Sequence, residues 1–100
     1  MYTQQEIVNM LTPIFEQFPI KRAALFGSYA RGDQTNESDV DIILELDYAK
    51  QGVCNFYIFW DELEDKIKLK ADVITFDSLN TVPASFSKRI LEEARYIYEV

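Results

Sequence analysis

The sequence predicts an α+β (mixed α/β) fold: one small mixed β-sheet with helices packed on one face. Apolar residues recur at helical spacing near both ends of the chain and again after residue 55. Short apolar runs between them, at residues 23–26, 40–46 and 71–76, read as strands. The resulting order is helix, strand, strand, helix, strand, helix. The 100 residues fit one domain, 1–100, with no room for two full cores.

Thr3-Gln4-Gln5-Glu6 has the form of a capping box, in which the hydroxyl caps the helix start and the glutamate reaches back. Ile7, Val8, Met10, Leu11, Ile14, Phe15 and Phe18 follow at helical spacing. The helix should stop before Pro19, because the residue preceding a proline is pushed out of the helical region. Residues 23–26 form a buried strand that runs into Gly27, and residues 32–37 are polar and read as a loop. In the next strand Val40, Ile42, Leu44 and Leu46 share one face; Asp39, Asp41, Ile43 and Glu45 share the other.

Residues 47–52 are a connection. A second helix starts at Asn55 or a neighbour, with Phe56, Ile58, Phe59, Leu63, Ile67 and Leu69 as its apolar stripe. A third strand covers residues 71–76, and residues 78–83 read as irregular. A last helix over about 84–94 presents Phe86, Ile90 and Leu91. Tyr96-Ile97-Tyr98 either closes the sheet as an edge strand or prolongs that helix; the pattern does not separate the two. There is no internal repeat and no low-complexity segment.

The formal net charge of -7 argues against nucleic acid as a direct partner, since gripping phosphates requires a basic surface. A small nucleotide escorted by a divalent cation is compatible with it, as is a basic protein partner. Cys54 is the only cysteine, which precludes an intrachain disulfide and fits a reducing compartment; its plain reading is a small core residue. Histidine is absent, which removes the commonest general base and His-based zinc sites. Any metal must therefore sit on oxygen ligands, which favours Mg²⁺ or Mn²⁺. The N-terminus does not read as a signal peptide, and no apolar run approaches the roughly 20 residues of a membrane helix. A soluble, cytoplasmic protein with no membrane partner is expected.

The chemistry-bearing residues lie in Gly27-Ser28-Tyr29-Ala30-Arg31-Gly32 and Ser38-Asp39-Val40-Asp41. Gly27 lets a ligand approach the backbone closely, and Ser28 adds a hydroxyl beside the backbone amides. If residues 29–31 form a helical turn, its first amides aim at the same point and favour an anion. Taken alone, a Gly-Ser turn is usually only a turn. Asp39 and Asp41 are two apart on a strand and so point to one side, with Cα atoms roughly 6–7 Å apart. Their repulsion is costly unless a cation lies between them. Taken alone, such a pair is usually a solvated strand end. Together the two pieces describe a site where a nucleoside triphosphate meets Mg²⁺.

This combined pattern closely resembles the motif of the DNA polymerase beta superfamily of nucleotidyltransferases, and in particular its minimal nucleotidyltransferases. The resemblance spans essentially the whole chain, including the first helix and the ending Ile90-Leu91-Glu92-Glu93-Ala94. It implies the polymerase beta-like nucleotidyltransferase fold and a third metal-site carboxylate on a later strand, for which Asp72 is the matching position. Asp72 is also an acid at the start of an otherwise apolar strand, where a half-buried acid needs a partner. Asp77 is the fallback and Glu45 a weaker one. Arg31 either contacts phosphate oxygens and the carboxylates or pairs with Asp33 at the surface. Ser38 would orient the acidic strand.

The resemblance implies a Mg²⁺-dependent transfer, with two ions and ATP as donor. Asp39, Asp41 and Asp72 would be the catalytic and metal-binding residues; Gly27, Ser28 and Arg31 would bind the nucleotide. The larger relatives carry a helical acceptor-binding domain that these residues do not encode, so the acceptor site must come from another molecule. Family members of this size resemble the antitoxin half of toxin–antitoxin pairs whose partner is an all-helical HEPN-type ribonuclease. The implied acceptor is a tyrosine of that toxin, in a hetero-oligomer. A non-catalytic masking module and a transferase acting on a small hydroxylated molecule are the alternatives.

Overall fold

The computed structural model describes residues 2–47 and 56–100. Helix α1, Gln4–Gln17, begins with the expected capping box. Thr3 Oγ1 accepts the Glu6 N–H at 3.1 Å, and Glu6 Oε1 accepts the Thr3 N–H at 3.0 Å. Ile7, Leu11, Ile14 and Phe15 form its buried stripe, and Phe18 adopts an extended conformation ahead of Pro19.

Strand β1 is Ile20–Phe26, three residues longer at its start than the apolar run suggests. Lys21 and Arg22 mask its beginning in the sequence. In the structure Arg22 sits opposite Glu45 of β2, Val40–Leu46, and its Nε donates to Glu45 Oε2 at 2.9 Å. Between these strands lies the short helix α2, Gly27–Arg31. Helix α3, Phe56–Ile67, leads into β3, Ala71–Thr75; then come a 3₁₀ segment Phe76–Thr81, α4, Ala84–Glu93, and β4, Arg95–Glu99.

The four strands form one sheet in the order β3-β2-β1-β4. Strand β1 runs antiparallel to both β2 and β4, whereas β2 and β3 are parallel, joined through α3. The mixed sheet expected from the sequence is therefore present. One face, with Ala23, Leu25, Val40, Ile42, Leu44 and Val73, is covered by α1 and α3 through Ile7, Leu11, Phe15, Phe59, Leu63 and Ile67. The other face is also partly covered: Ile90 of α4 closes on Ala24 and Ile43. The helices thus pack on both faces rather than one, the second layer being thinner.

Three local expectations change. Residues expected to be irregular at 78–81 belong to the 3₁₀ segment, which Thr75 caps by accepting the Ser78 N–H at 3.3 Å. Residues 96–98 form an edge strand, not a helical continuation. Of the apolar residues on α4 only Ile90 is buried; Phe86 and Leu91 are 49% and 50% exposed, and Ile58 on α3 is likewise exposed. Cys54, Asn55 and the connection beyond Asp47 lie outside the described residues. No helix among the described residues is long and apolar enough to cross a membrane.

Replacing Thr3 by Ala removes the acceptor for the Glu6 amide and should cost about 1 kcal/mol of folding stability. Urea titration should show a lower midpoint with an unchanged slope.

Candidate active site

The end of β1 and the start of β2 are neighbours in the sheet, with Phe26 opposite Asp41. In the parallel pair on the other side of β2, Asp41 stands opposite Asp72. The pleat directs both acids to the face that carries α4, since Val40, Ile42, Ala71 and Val73 fill the core beneath the other. Gly27 follows Phe26 directly with φ of 71°, a conformation that favours glycine. A Cβ at Gly27 would overlap Asp41 Oδ2. Glycine is therefore required both by the backbone angle and by the nearness of the carboxylate. The sheet brings Gly27, Asp41 and Asp72 to one corner.

Each of these residues is anchored from behind. Helix α2 is pinned by Tyr29, 1% exposed, and by Ala30; Gln4 Nε2 donates to the Tyr29 carbonyl at 3.0 Å. Tyr29 is thus a core residue, and burial raises its phenol pKa above 10.0. The start of β3 is gripped by α3: Glu64 Oε2 accepts the Ala71 N–H at 2.7 Å, and Trp60 Nε1 donates to the Ala71 carbonyl at 2.8 Å. Val40 N–H donates to the Lys70 carbonyl at 3.0 Å. Those three bonds fix Asp72 relative to Asp41.

Asp39 stands just before the first residue of β2. The turn ahead of it is tied by Ser38, whose Oγ accepts the Thr35 N–H at 2.8 Å. Among the described residues no three acidic side chains are already closed around one point. Asp41 and Asp72 are within hydrogen-bond reach of each other, and Asp39 acts on Asp41 through its charge.

The electrostatics follow from that crowding. Burial is the largest of the causes that together push the Asp41 carboxyl up from 3.8 to about 6. The negative charges of Asp72 and Asp39 and a hydrogen bond with Asp72 add to the rise, and Arg31 opposes it. A site of hard, mutually repelling oxygen donors suits a hard divalent cation such as Mg²⁺ or Mn²⁺, whose charge relieves the repulsion.

Arg31 makes the expected surface pair with Asp33. Its Nε donates to Asp33 Oδ2 at 3.1 Å, and its charge reaches Asp41. It also makes a contact that sequence reasoning missed: Nη1 donates to Glu93 Oε1 at 3.0 Å. Glu93 Oε2 in turn accepts the Gly27 N–H at 3.3 Å. Glu93 lies 66 residues from Gly27 in the chain, so no local spacing could have found it. Glu45 is not part of the corner. It lies four residues further along β2, on the order of 13 Å away, and pairs with Arg22 and Lys21. Asp77, the fallback for Asp72, sits in the 3₁₀ segment beyond the end of β3 and not opposite Asp41.

Gly27→Ala should strain the turn and drive a methyl group into Asp41. Nucleotide binding should fall by at least about tenfold, a difference of about 1.4 kcal/mol, measured by calorimetric titration. A second expectation concerns pH. The folded-state pKa of Asp41 lies above its unfolded value, so the folded chain keeps a proton that the unfolded chain releases between pH 3.8 and about 6. Stability therefore falls as pH rises through that window, and the full cost remains above it. With divalent cations chelated, Asp41→Asn should stabilise the chain at pH 8. The gain should be on the order of 1–2 kcal/mol, allowing for partial exposure, and should vanish near pH 3.5. Chemical denaturation at the two pH values checks it; no gain at pH 8 contradicts it.

Comparison with known proteins identifies the family. Residues 9–100 match the family described as polymerase beta, nucleotidyltransferase. A candidate protein adenylyltransferase of Methanocaldococcus jannaschii is 40% identical over 98 residues, 93% of this chain and 95% of that protein. Protein adenylyltransferase MntA of Thermococcus cleftensis is 30% identical over 101 residues, 97% of this chain and 98% of that protein. Among solved structures, a toxin–antitoxin complex with AMP-PNP is similar at a TM-score of 0.70 and 16% identity, over 93% of this chain and 73% of that one. A complex of the tri-AMPylated HEPN toxin of Shewanella oneidensis with an MNT antitoxin gives a TM-score of 0.64 at 15% identity, over 98% and 74%. At such identities the structural likeness is one of fold. The chain belongs to the polymerase beta nucleotidyltransferase family.

Proposed function

We propose that this chain transfers AMP from ATP, with Mg²⁺, to a hydroxyl group of a helical HEPN-type toxin, most plainly a tyrosine, and so neutralises that toxin as an antitoxin. The observation that carries the reading is Asp41 beside Asp72, under a glycine turn that leaves room for nothing larger than hydrogen. Relatives named as protein adenylyltransferases support the reaction class, and the folds of toxin–antitoxin complexes support the partner class.

In this reading Asp39, Asp41 and Asp72 hold two Mg²⁺ ions. When bound, the ions stabilise charge on the attacking and leaving oxygens. Gly27 N–H, Ser28 and the Arg31 guanidinium seat the phosphates. Asp72 is the exposed member of the carboxylate pair, where an incoming hydroxyl can reach it. Its carboxylate takes the acceptor's proton, since the chain has no histidine to serve as base. The AMP then passes to the acceptor oxygen and pyrophosphate leaves. Residues 1–100 act as one minimal domain in the cytoplasm, and the toxin supplies the acceptor within a hetero-oligomer.

Intact mass spectrometry of the partner toxin after incubation with this chain, ATP and Mg²⁺ should show one or more added AMP units. Asp39→Asn and Asp41→Asn should each lower transfer by roughly 10²-fold or more, the scale of losing one electrostatic stabiliser of the transition state. A stable complex without any mass gain would instead make the chain a masking module. Transfer confined to a small hydroxylated molecule would move the acceptor class.

A further inference from the structure

The groups that would seat a nucleotide phosphate are already engaged by an anion of the chain itself. Glu93 closes α4 and reaches across to α2. Its Oε2 accepts the Gly27 N–H at 3.3 Å and its Oε1 accepts from Arg31 Nη1 at 3.0 Å. A backbone amide and a guanidinium, presented to two oxygens of one anion, form the donor pair that also suits a phosphate. Glu93 has a second possible partner: Arg89, one turn earlier on α4, places Nε 3.6 Å from the same Oε1. The Glu93 side chain is 20% exposed, so it is held in the corner rather than lying loose over it.

We propose that Glu93 is a placeholder for a phosphate of the nucleotide. In the nucleotide-free chain its carboxylate satisfies Gly27 and Arg31 and keeps both donors aimed at the corner. An arriving phosphate takes those donors, and Glu93 moves onto Arg89, which keeps it paired on the same helix. The inference rests on the reading of Gly27 and Arg31 as a phosphate seat. Glu93 is then a positioning residue with a cost: a phosphate binds only as tightly as it outcompetes the internal carboxylate. Because Arg31 is 42% exposed, solvent screens the contest and the effect is modest.

The test is calorimetric titration with inorganic tripolyphosphate in the absence of metal, and with ATP in the presence of Mg²⁺. Glu93→Gln keeps the side-chain length and an oxygen acceptor but loses the charge. Glu93→Asp keeps the charge but shortens the reach. Glu92→Gln, one residue away and paired only loosely with Lys88 at 3.9 Å, is the control for net charge. Circular dichroism establishes that each variant is folded. Glu93→Gln should bind tripolyphosphate about three- to tenfold more tightly than the unsubstituted chain, Glu93→Asp should lie between them, and Glu92→Gln should be unchanged. Equal or weaker binding by both Glu93 variants overturns the placeholder and leaves Glu93 a strut between α2 and α4. Equal tightening by Glu92→Gln overturns it too, by making the effect one of net charge. If no form binds tripolyphosphate or ATP, the phosphate seat falls, and the proposal with it.

Discussion

The structure turns on two carboxylates held side by side, Asp41 half-buried and Asp72 exposed. Parallel pairing of β2 with β3 places Asp41 opposite Asp72, and Gly27 closes over Asp41 from β1. Burial first, and the neighbouring carboxylates after it, hold the Asp41 carboxyl up at about 6. The surrounding structure works to keep the pair in place. Trp60 and Glu64 grip Ala71, Val40 bonds to the Lys70 carbonyl, and the core beneath leaves Asp41 and Asp72 no inward alternative. Such an arrangement costs folding stability as long as nothing offsets the crowded charge.

The two faces of the sheet divide the work. One is sealed by α1 and α3 with large apolar side chains, among them Phe15 against Phe59 at 6.1 Å between ring centroids. The other carries the acids at one end and a thinner apolar layer under α4. Further along that face Arg22 lies 4.2 Å from the centre of the Phe76 ring. Phe86, Leu91 and Tyr96 each keep about half of their surface exposed there. Stability is thus concentrated on the side away from the chemistry.

Much of this was legible in the sequence where the physical signal is local. The capping box at Thr3 and Glu6, the stripe on α1 and the period-two alternation of β2 depend on neighbours a few residues apart, and the structure shows all three. Gly27, Asp41 and Asp39 just ahead of β2 drew notice in the sequence because their spacing has a chemical meaning. Asp72 could be matched by resemblance, but its seat opposite Asp41 depends on strand pairing, which the sequence does not display. The polar start of β1 was hidden because Lys21 and Arg22 find partners across the sheet and at its rim, not along the strand. The role of Glu93 was invisible for the same reason at longer range: an ordinary helix-end glutamate meets Gly27 only once α4 folds onto the second face. That second layer was underestimated because α4 buries a single apolar residue, Ile90.

The most direct test of the central claim is a crystal structure of the chain soaked with Mn²⁺ and a non-hydrolysable ATP analogue, with manganese located by its anomalous signal. The account predicts manganese between Asp41 and Asp72, with a phosphate oxygen on the Gly27 amide. Manganese elsewhere, or a nucleotide bound away from that amide, would contradict it.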